Sequence, residues 1–161
     1  NEEWEKENGL SVLKAKNYFK GEFFLLMADH IFDVSIIERL RKFPLNDDEV
    51  VLAIDSHIEN HPLVDLEDVT RVQREDGRIV NIGKNLEDYS AFDTGIFRCT
   101  PAIFSALEQS TAMGDSTLSG GIRALAKKRK AKVMDIGDSF WIDIDDEPAL
   151  KKACEILKDM R

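Results

Sequence analysis

The chain has 161 residues, 43% of them apolar and 33% charged, with a formal net charge of −9. That is enough for one domain with a sizeable core, and it excludes a disordered chain. The acidic balance argues against a nucleic-acid partner, which needs clustered Lys and Arg, but leaves room for a small phosphorylated ligand held by a few cations or a metal ion.

The first element expected is a helix over Leu10–Phe19, with Leu10, Leu13 and Tyr18 on one stripe and Asn8-Gly9 as the loop or cap before it. Glu22 to Ala28 carries the apolar run Phe23-Phe24-Leu25-Leu26-Met27, which suits a strand buried on both faces, as in a parallel sheet, and it closes on Asp29-His30. A helix follows over Asp33–Leu40, opened by its Asp. Glu49 to Asp55 reads as a second buried strand, again ending on an acid. Val69–Val72 and Arg78–Ile82 flank Glu75-Asp76-Gly77, a hairpin signal. Ser90–Phe97 is a strand broken by Thr94-Gly95, and Pro101 opens a helix through Leu107.

Leu118–Lys130 is a helix ending in the basic cluster Lys127-Lys128-Arg129-Lys130, which suits a solvated C-terminus. Lys132–Ile136 and Ser139–Ile144 flank Gly137-Asp138, a second hairpin signal. Pro148–Met160 is a final amphipathic helix with Leu150, Ala153, Ile156, Leu157 and Met160 on one face. The alternation predicts an α/β fold with a mostly parallel mixed sheet.

The longest apolar run is Phe23 to Ala28, far short of the roughly 20 residues that cross a membrane. No membrane contact by this segment is expected. The opening Asn1-Glu2-Glu3-Trp4 carries no signal-peptide pattern, and Cys99 and Cys154 form no disulfide or metal framework. A cytoplasmic location is the expectation. With no initial Met and a helix starting at once, part of the domain is expected to lie upstream.

Ligands of open α/β sheets bind beyond the carboxyl ends of strands. Asp29 sits at such an end. Asp143 and Asp145 lie two apart in an extended segment, so both can aim at one point while Ile142 and Ile144 face the core. If Asp29 joins them, three carboxylates converge with no local cation, an arrangement that a hard divalent ion such as Mg²⁺ relieves. The plainer reading makes Asp29 a cap and Asp143 and Asp145 solvated hairpin residues.

These residues carry a resemblance. Phe24-Leu25-Leu26-Met27-Ala28-Asp29-His30 resembles the metal-binding strand end of sugar nucleotidyltransferases. Phe92-Asp93-Thr94-Gly95-Ile96-Phe97 is similar to their N/D-T-G-I strand beside the acceptor, and Trp141-Ile142-Asp143-Ile144-Asp145 to the motif that ends their catalytic domain. Asp146-Glu147-Pro148 replaces the Thr-Pro-Glu of that motif. Asn1-x-x-Trp4-x-x-x-Asn8-Gly9-x-Ser11 and Leu118-Ser119-x-Gly121-Ile122 resemble the CTP:inositol-1-phosphate cytidylyltransferase branch. The family's Gly-rich nucleotide loop is missing from these residues, so the resemblance implies residues 1–161 as a catalytic domain incomplete at its N-terminus, weak or inactive by itself.

The resemblance implies a three-layer α/β/α fold of the nucleotide-diphospho-sugar transferase (GT-A-like) type. It implies transfer of a cytidylyl group from CTP to inositol 1-phosphate, in compatible-solute biosynthesis. Asp29 and Asp145 would hold Mg²⁺, with Asp143 a third or alternative ligand. Asn8, Gly9 and Ser11 match the segment that meets base and ribose; an ordinary helix cap is the competing reading. Lys84 matches the cation on the acceptor phosphate, or is a solvated surface lysine. Asp93 matches the residue that bonds acceptor hydroxyls, or serves the turn at Gly95. Tyr89 is a further acceptor-side candidate. A fused or separate membrane synthase and a homodimer are admitted as partners.

His57 and His61 are four apart, but Pro62 argues for a loop and against a zinc pair. His30 is a partner of Asp29 or a buried polar residue, Trp4 and Trp141 read as core, and both cysteines as inert. Two other readings stand beside the main one: a sugar-1-phosphate nucleotidyltransferase using GTP, UTP or dTTP, and a non-catalytic module that keeps the fold.

Overall fold

The computed structural model describes residues 5–59 and 61–159. Trp4, with the start of its motif, and Met160 lie outside the described residues. In chain order the elements are α1 (Asn8–Lys14), β1 (Phe23–Leu26), β2 (His30–Phe32), α2 (Ser35–Lys42), β3 (Val50–Asp55), β4 (Arg71–Glu75) and β5 (Arg78–Gly83). Then come β6 (Ala91–Cys99), α3 (Ala102–Ala112), α4 (Leu118–Ala126), β7 (Ala131–Asp135), β8 (Trp141–Asp143) and α5 (Glu147–Asp159).

Six strands form one sheet in the order β1-β6-β3-β7-β5-β4, and β2 pairs with β8 in a small second sheet. β3 is the spine. All six of its residues are buried, and its side chains alternate between two cores. Val50, Leu52 and Ile54 face the core beneath α1, α3 and α4. Val51 and Ala53 face the other, which receives Ile36 and Leu40 of α2 together with Phe92, Ile96, Met134 and Trp141. Helices therefore cover both faces, the expected three-layer arrangement. A fully buried Ile or Leu contributes about 1.5–3 kcal/mol, which is why the two faces of this strand anchor the fold.

The sheet is mixed, as expected, but its strand sense differs from a mostly parallel one. Among the described pairs only β3–β7 is parallel; β1–β6, β3–β6, β4–β5, β4–β6 and β5–β7 are antiparallel. An apolar run reports that both faces of a strand avoid water and is silent on its direction. β1 shows the same limit: Phe24 and Leu26 stay 36% and 41% exposed, so within the described residues the strand is half covered.

The expected second hairpin does not form. Gly137 does turn the chain, at φ +54°, but β7 runs along β3 and β8 leaves to pair with β2, Asp143 opposite His30. A turn signal fixes that the chain bends; the partner is chosen at long range, here by Trp141, whose indole N–H reaches the Asp55 carboxylate at the end of β3 (2.8 Å). The first hairpin forms as read, β4 against β5. The break expected at Thr94-Gly95 is a bulge inside a continuous β6, where the register against β3 shifts between Leu52 and Ile54. The first helix ends at Lys14, earlier than expected.

Candidate active site

β1 and the β2–β8 pair bring the acids together. Asp29 follows β1, and the Ile144 N–H donates to its carbonyl (3.0 Å), tying the two segments side by side. Two groups of possible metal-ligating atoms, each within 4.8 Å of one another, result: Asp29, His30 and Asp143, and Asp68, Asp143 and Asp145. Asp143 belongs to both and is the centre of the arrangement, with Asp29 on one side and Asp145 on the other. Asp68 was not visible as a candidate, because it comes from a loop with no periodicity to place it.

The electrostatics of Asp143 follow from this position. Burial, then the charges of Asp145 and Asp29, push its carboxyl above the usual range, with His30 acting against them. Its Oδ1 is buried and has no hydrogen-bond partner among the described residues. His30 donates from Nδ1 to the Thr94 carbonyl (2.7 Å). That places Nε2 toward the acids, 3.4 Å from Asp143 Oδ2 and 3.8 Å from Asp29 Oδ1. The two groups share Asp143 with its orphaned oxygen, and either could take a hard divalent cation; among the described residues no single group takes in both Asp29 and Asp145.

Gly95 makes room for this ring. Its φ is +71°, and a Cβ there would fall 2.6 Å from His30 ring atoms and from Met27 Cγ. The glycine in the Asp93-Thr94-Gly95 stretch is thus needed twice, for a left-handed backbone and for close approach.

The acids face a cleft of about 480 Å³ whose lining also includes Asn8, Lys84 and Asp93. Lys84 Nζ pairs with Asp68. Asp93 accepts from the Gly95 N–H (2.8 Å), and burial pushes its carboxyl up to about 6. A second cleft of about 580 Å³ adjoins the first, sharing Asn8, Thr70, Lys84 and Ser119 with it. Asn8 Oδ1 accepts from Leu118 N–H (2.9 Å) at the start of α4, so its amide is already used to join α1 to α4. Gly9 is buried against the Ser116–Thr117 backbone, where a Cβ would meet Ser116 O at 2.4 Å. Ser11 is exposed and lines neither cleft. Tyr89 also lies outside both linings; it packs on Phe92 and under the Arg71 guanidinium, 5.0 Å from its ring centroid.

His57 and His61 turn to Asp55. His57 Nδ1 lies 3.1 Å from Asp55 Oδ1, and His61 Nε2 3.0 Å from Oδ2. Neither is in the groups that could hold a metal among the described residues. Cys99 is buried, which pushes its thiol pKa far up, as an inert core cysteine requires.

The mixed α/β fold, which brings acids from two remote strands together beside a lysine and a partly buried carboxylate, is one that solved nucleotidyltransferases share. No family model matches the sequence. A bifunctional IPC transferase and DIPP synthase of Aquifex aeolicus is 35% identical over 158 residues, 98% of this chain and 34% of that protein. The protein of the same name from Archaeoglobus fulgidus is 31% identical over 154 residues, 95% of this chain and 29% of that one. Among solved structures, the inositol-1-phosphate CTP transferase from T. maritima superposes with a TM-score of 0.80 at 27% identity, covering 94% of this chain and 61% of the other. A thymidylyltransferase structure from Bacillus anthracis, at 15% identity and a TM-score of 0.76, shares the fold. The chain belongs to the nucleotidyltransferase family, with IPC transferases among its relatives. It spans about a third of the length of the curated relatives it matches.

Proposed function

We propose that this chain forms the acceptor- and metal-binding part of a cytidylyltransferase that moves the cytidylyl group of CTP onto inositol 1-phosphate, giving CDP-inositol and pyrophosphate. The observation that supports this most is the meeting of Asp29, Asp143 and Asp145 on one cleft that also holds Lys84 and Asp93. The names of the relatives supply the substrates.

In this reading a phosphate-monoester oxygen attacks the α-phosphorus of CTP in line. A new P–O bond forms, the α–β bridging bond breaks, and its electron pair leaves with pyrophosphate. A monoester dianion is already a competent nucleophile, so no strong general base is required, and positioning and charge neutralisation supply the catalysis. Mg²⁺, held by Asp29, Asp143 and Asp145 with Asp68 in reach, would offset the negative charge that gathers on the triphosphate. Lys84 meets the acceptor phosphate. Its present partner is an exposed Asp68, with both side chains 54% exposed, and such a pair is worth only about 0–1 kcal/mol, so a phosphate dianion can displace it. Asp93, ionised at neutral pH, accepts hydrogen bonds from acceptor hydroxyls. The names of the bifunctional relatives support a fused or separate DIPP synthase as partner. No helix of the described residues is long and apolar enough to cross a membrane.

The test is pyrophosphate release by this chain in its natural protein context, with CTP, GTP, UTP or dTTP against inositol 1-phosphate or glucose 1-phosphate. CTP with inositol 1-phosphate should turn over fastest, and Asp29→Ala or Asp145→Ala should abolish the metal-dependent rate. A preference for another nucleotide with glucose 1-phosphate moves the reading to a sugar-phosphate enzyme. No turnover with any pair moves it to a non-catalytic module.

A further inference from the structure

Asp55 is 2% exposed at the end of the fully buried β3, and the reaction above does not use it. A carboxylate in that position needs donors on all sides, and the four it has among the described residues come from two segments, β8 and the loop after β3. Oδ1 accepts from the His57 backbone N–H (2.8 Å) and faces His57 Nδ1 (3.1 Å). Oδ2 accepts from the Trp141 indole N–H (2.8 Å) and lies 3.0 Å from His61 Nε2. His61 Nδ1 already accepts from the Leu63 N–H (3.2 Å), so the proton of the neutral ring sits on Nε2, on the carboxylate's side.

Each donor carries part of the site. Trp141 opens β8, two residues before Asp143 and four before Asp145. Its ring lies between those of His30 and His61, at centroid distances of 5.8 and 6.3 Å. His61 begins the segment whose Pro62 to Asp65 line the cleft, and Lys152 of α5 holds the same segment at the Pro62 carbonyl. One buried carboxylate therefore joins the strand that bears the acids to the loop that walls the cleft.

We propose that Asp55 is a positioning residue: through Trp141 it sets β8 so that Asp143 and Asp145 face Asp29, and through His61 it holds the Pro62–Asp65 wall against the bound acceptor. The proposal rests on the reading of the acid cluster as a divalent-cation site. Two arms follow from the two donors. Loss of the indole bond tilts β8 and weakens cation binding. Loss of the His61 contact loosens the wall and weakens acceptor binding, with the cation unaffected.

The experiment titrates Mn²⁺ and counts free ion by electron paramagnetic resonance, at a temperature where circular dichroism shows each variant folded. Acceptor KM and kcat are measured beside it. Asp55→Asn and Trp141→Phe should each raise the Mn²⁺ dissociation constant about tenfold or more, the usual size for a residue that orients a ligand from outside the coordination shell. His61→Ala should raise the acceptor KM with Mn²⁺ affinity unchanged, and His61→Gln, which keeps a donor, should restore it. A role confined to stability would lower the melting temperature of these variants and leave both constants alone, and that result overturns the proposal. If Asp55→Asn does not fold, Trp141→Phe and the His61 pair decide alone. If the parent binds no Mn²⁺, or Asp145→Ala binds it as tightly as the parent, the acid-cluster reading itself fails and this proposal with it.

Discussion

Gly95 and Asp93 stand two residues apart and make opposite demands on the chain. A methyl group at position 95 would have to pass His30 ring atoms at 2.6 Å on a backbone at φ +71°. Neither the ring, held by Thr94, nor the bulge can yield without moving the acids that His30 faces. Gly95→Ala is expected to cost about 1–3 kcal/mol of stability and to lower metal-dependent turnover at least tenfold; urea unfolding and the pyrophosphate assay check both. Asp93 is held near 6 by burial, against a free value of 3.8, with the Gly95 N–H and His30 pulling it back down.

A raised carboxyl means that the folded state binds the proton more tightly than the unfolded chain. Its contribution is present at low pH and lost as pH rises from about 4 through about 6. Asp93→Asn should therefore flatten the decline in stability between pH 4.5 and 7 by an amount on the order of 2 kcal/mol. Equal slopes in the two proteins, read from melting temperatures across that range, would falsify the burial account. On the acceptor role proposed for Asp93, acceptor affinity should move the other way, weakening below about pH 6 as its carboxylate takes up a proton.

At the scale of elements, Glu49 clamps three strands at one end of the sheet. It precedes β3, is 1% exposed, and pairs with Arg78 of β5 (3.1 Å) and Lys132 of β7 (2.6 Å) while accepting from the Asn46 N–H (3.0 Å). Burial raises its carboxyl, but these donors outweigh burial and hold it at about 2. The sign is opposite to that of Asp93: the stability it contributes is full above pH 4.5 and lost as pH falls toward 2. Glu49→Ala strands two cations and should cost about 3 kcal/mol, at the low end for a broken buried pair because Arg78 and Lys132 keep some solvent. A loss under 1 kcal/mol by urea unfolding at pH 7 would show the clamp to be ornamental.

Elements of this kind were legible in the sequence where the signal is local. The Asp76-Gly77 turn, Asp33 before α2 (its Oδ1 takes the Ser35 N–H at 2.8 Å) and Pro101 before α3 each act within a few residues. That Asp143 and Asp145 can face one point followed from their spacing of two, whereas the approach of Asp29 to Asp143 was carried by the resemblance and not by any local pattern. What escaped was set at long range. The departure of β8 to β2 depends on a tryptophan finding Asp55, 86 positions away, and Asp68 reaches the acids from a loop that no periodicity places.

Over the whole molecule, the net charge of −9 and the acid cluster raise the same question at two distances. General repulsion among 31 acidic and 22 basic side chains is screened by any salt, whereas the repulsion around Asp143 is short-ranged and partly buried, so added monovalent ions relieve it poorly. A divalent ion that binds the folded cluster and not the unfolded chain stabilises by mass action. At ten times its dissociation constant the gain is about 1.4 kcal/mol, which for a domain of this size is about 3–6 °C in melting temperature. Mg²⁺ should produce that rise, and NaCl at matched ionic strength less than half of it. Asp143→Asn should start from a higher melting temperature than the parent, because it removes a carboxylate whose charge the fold resists, and should then respond to Mg²⁺ no more than to NaCl. If the parent gains as much from NaCl as from Mg²⁺, the acids relax by screening alone and the cluster is a surface feature. If Asp143→Asn keeps the full Mg²⁺ rise, the ion sits elsewhere and the residue shared by both groups of acids is not its centre.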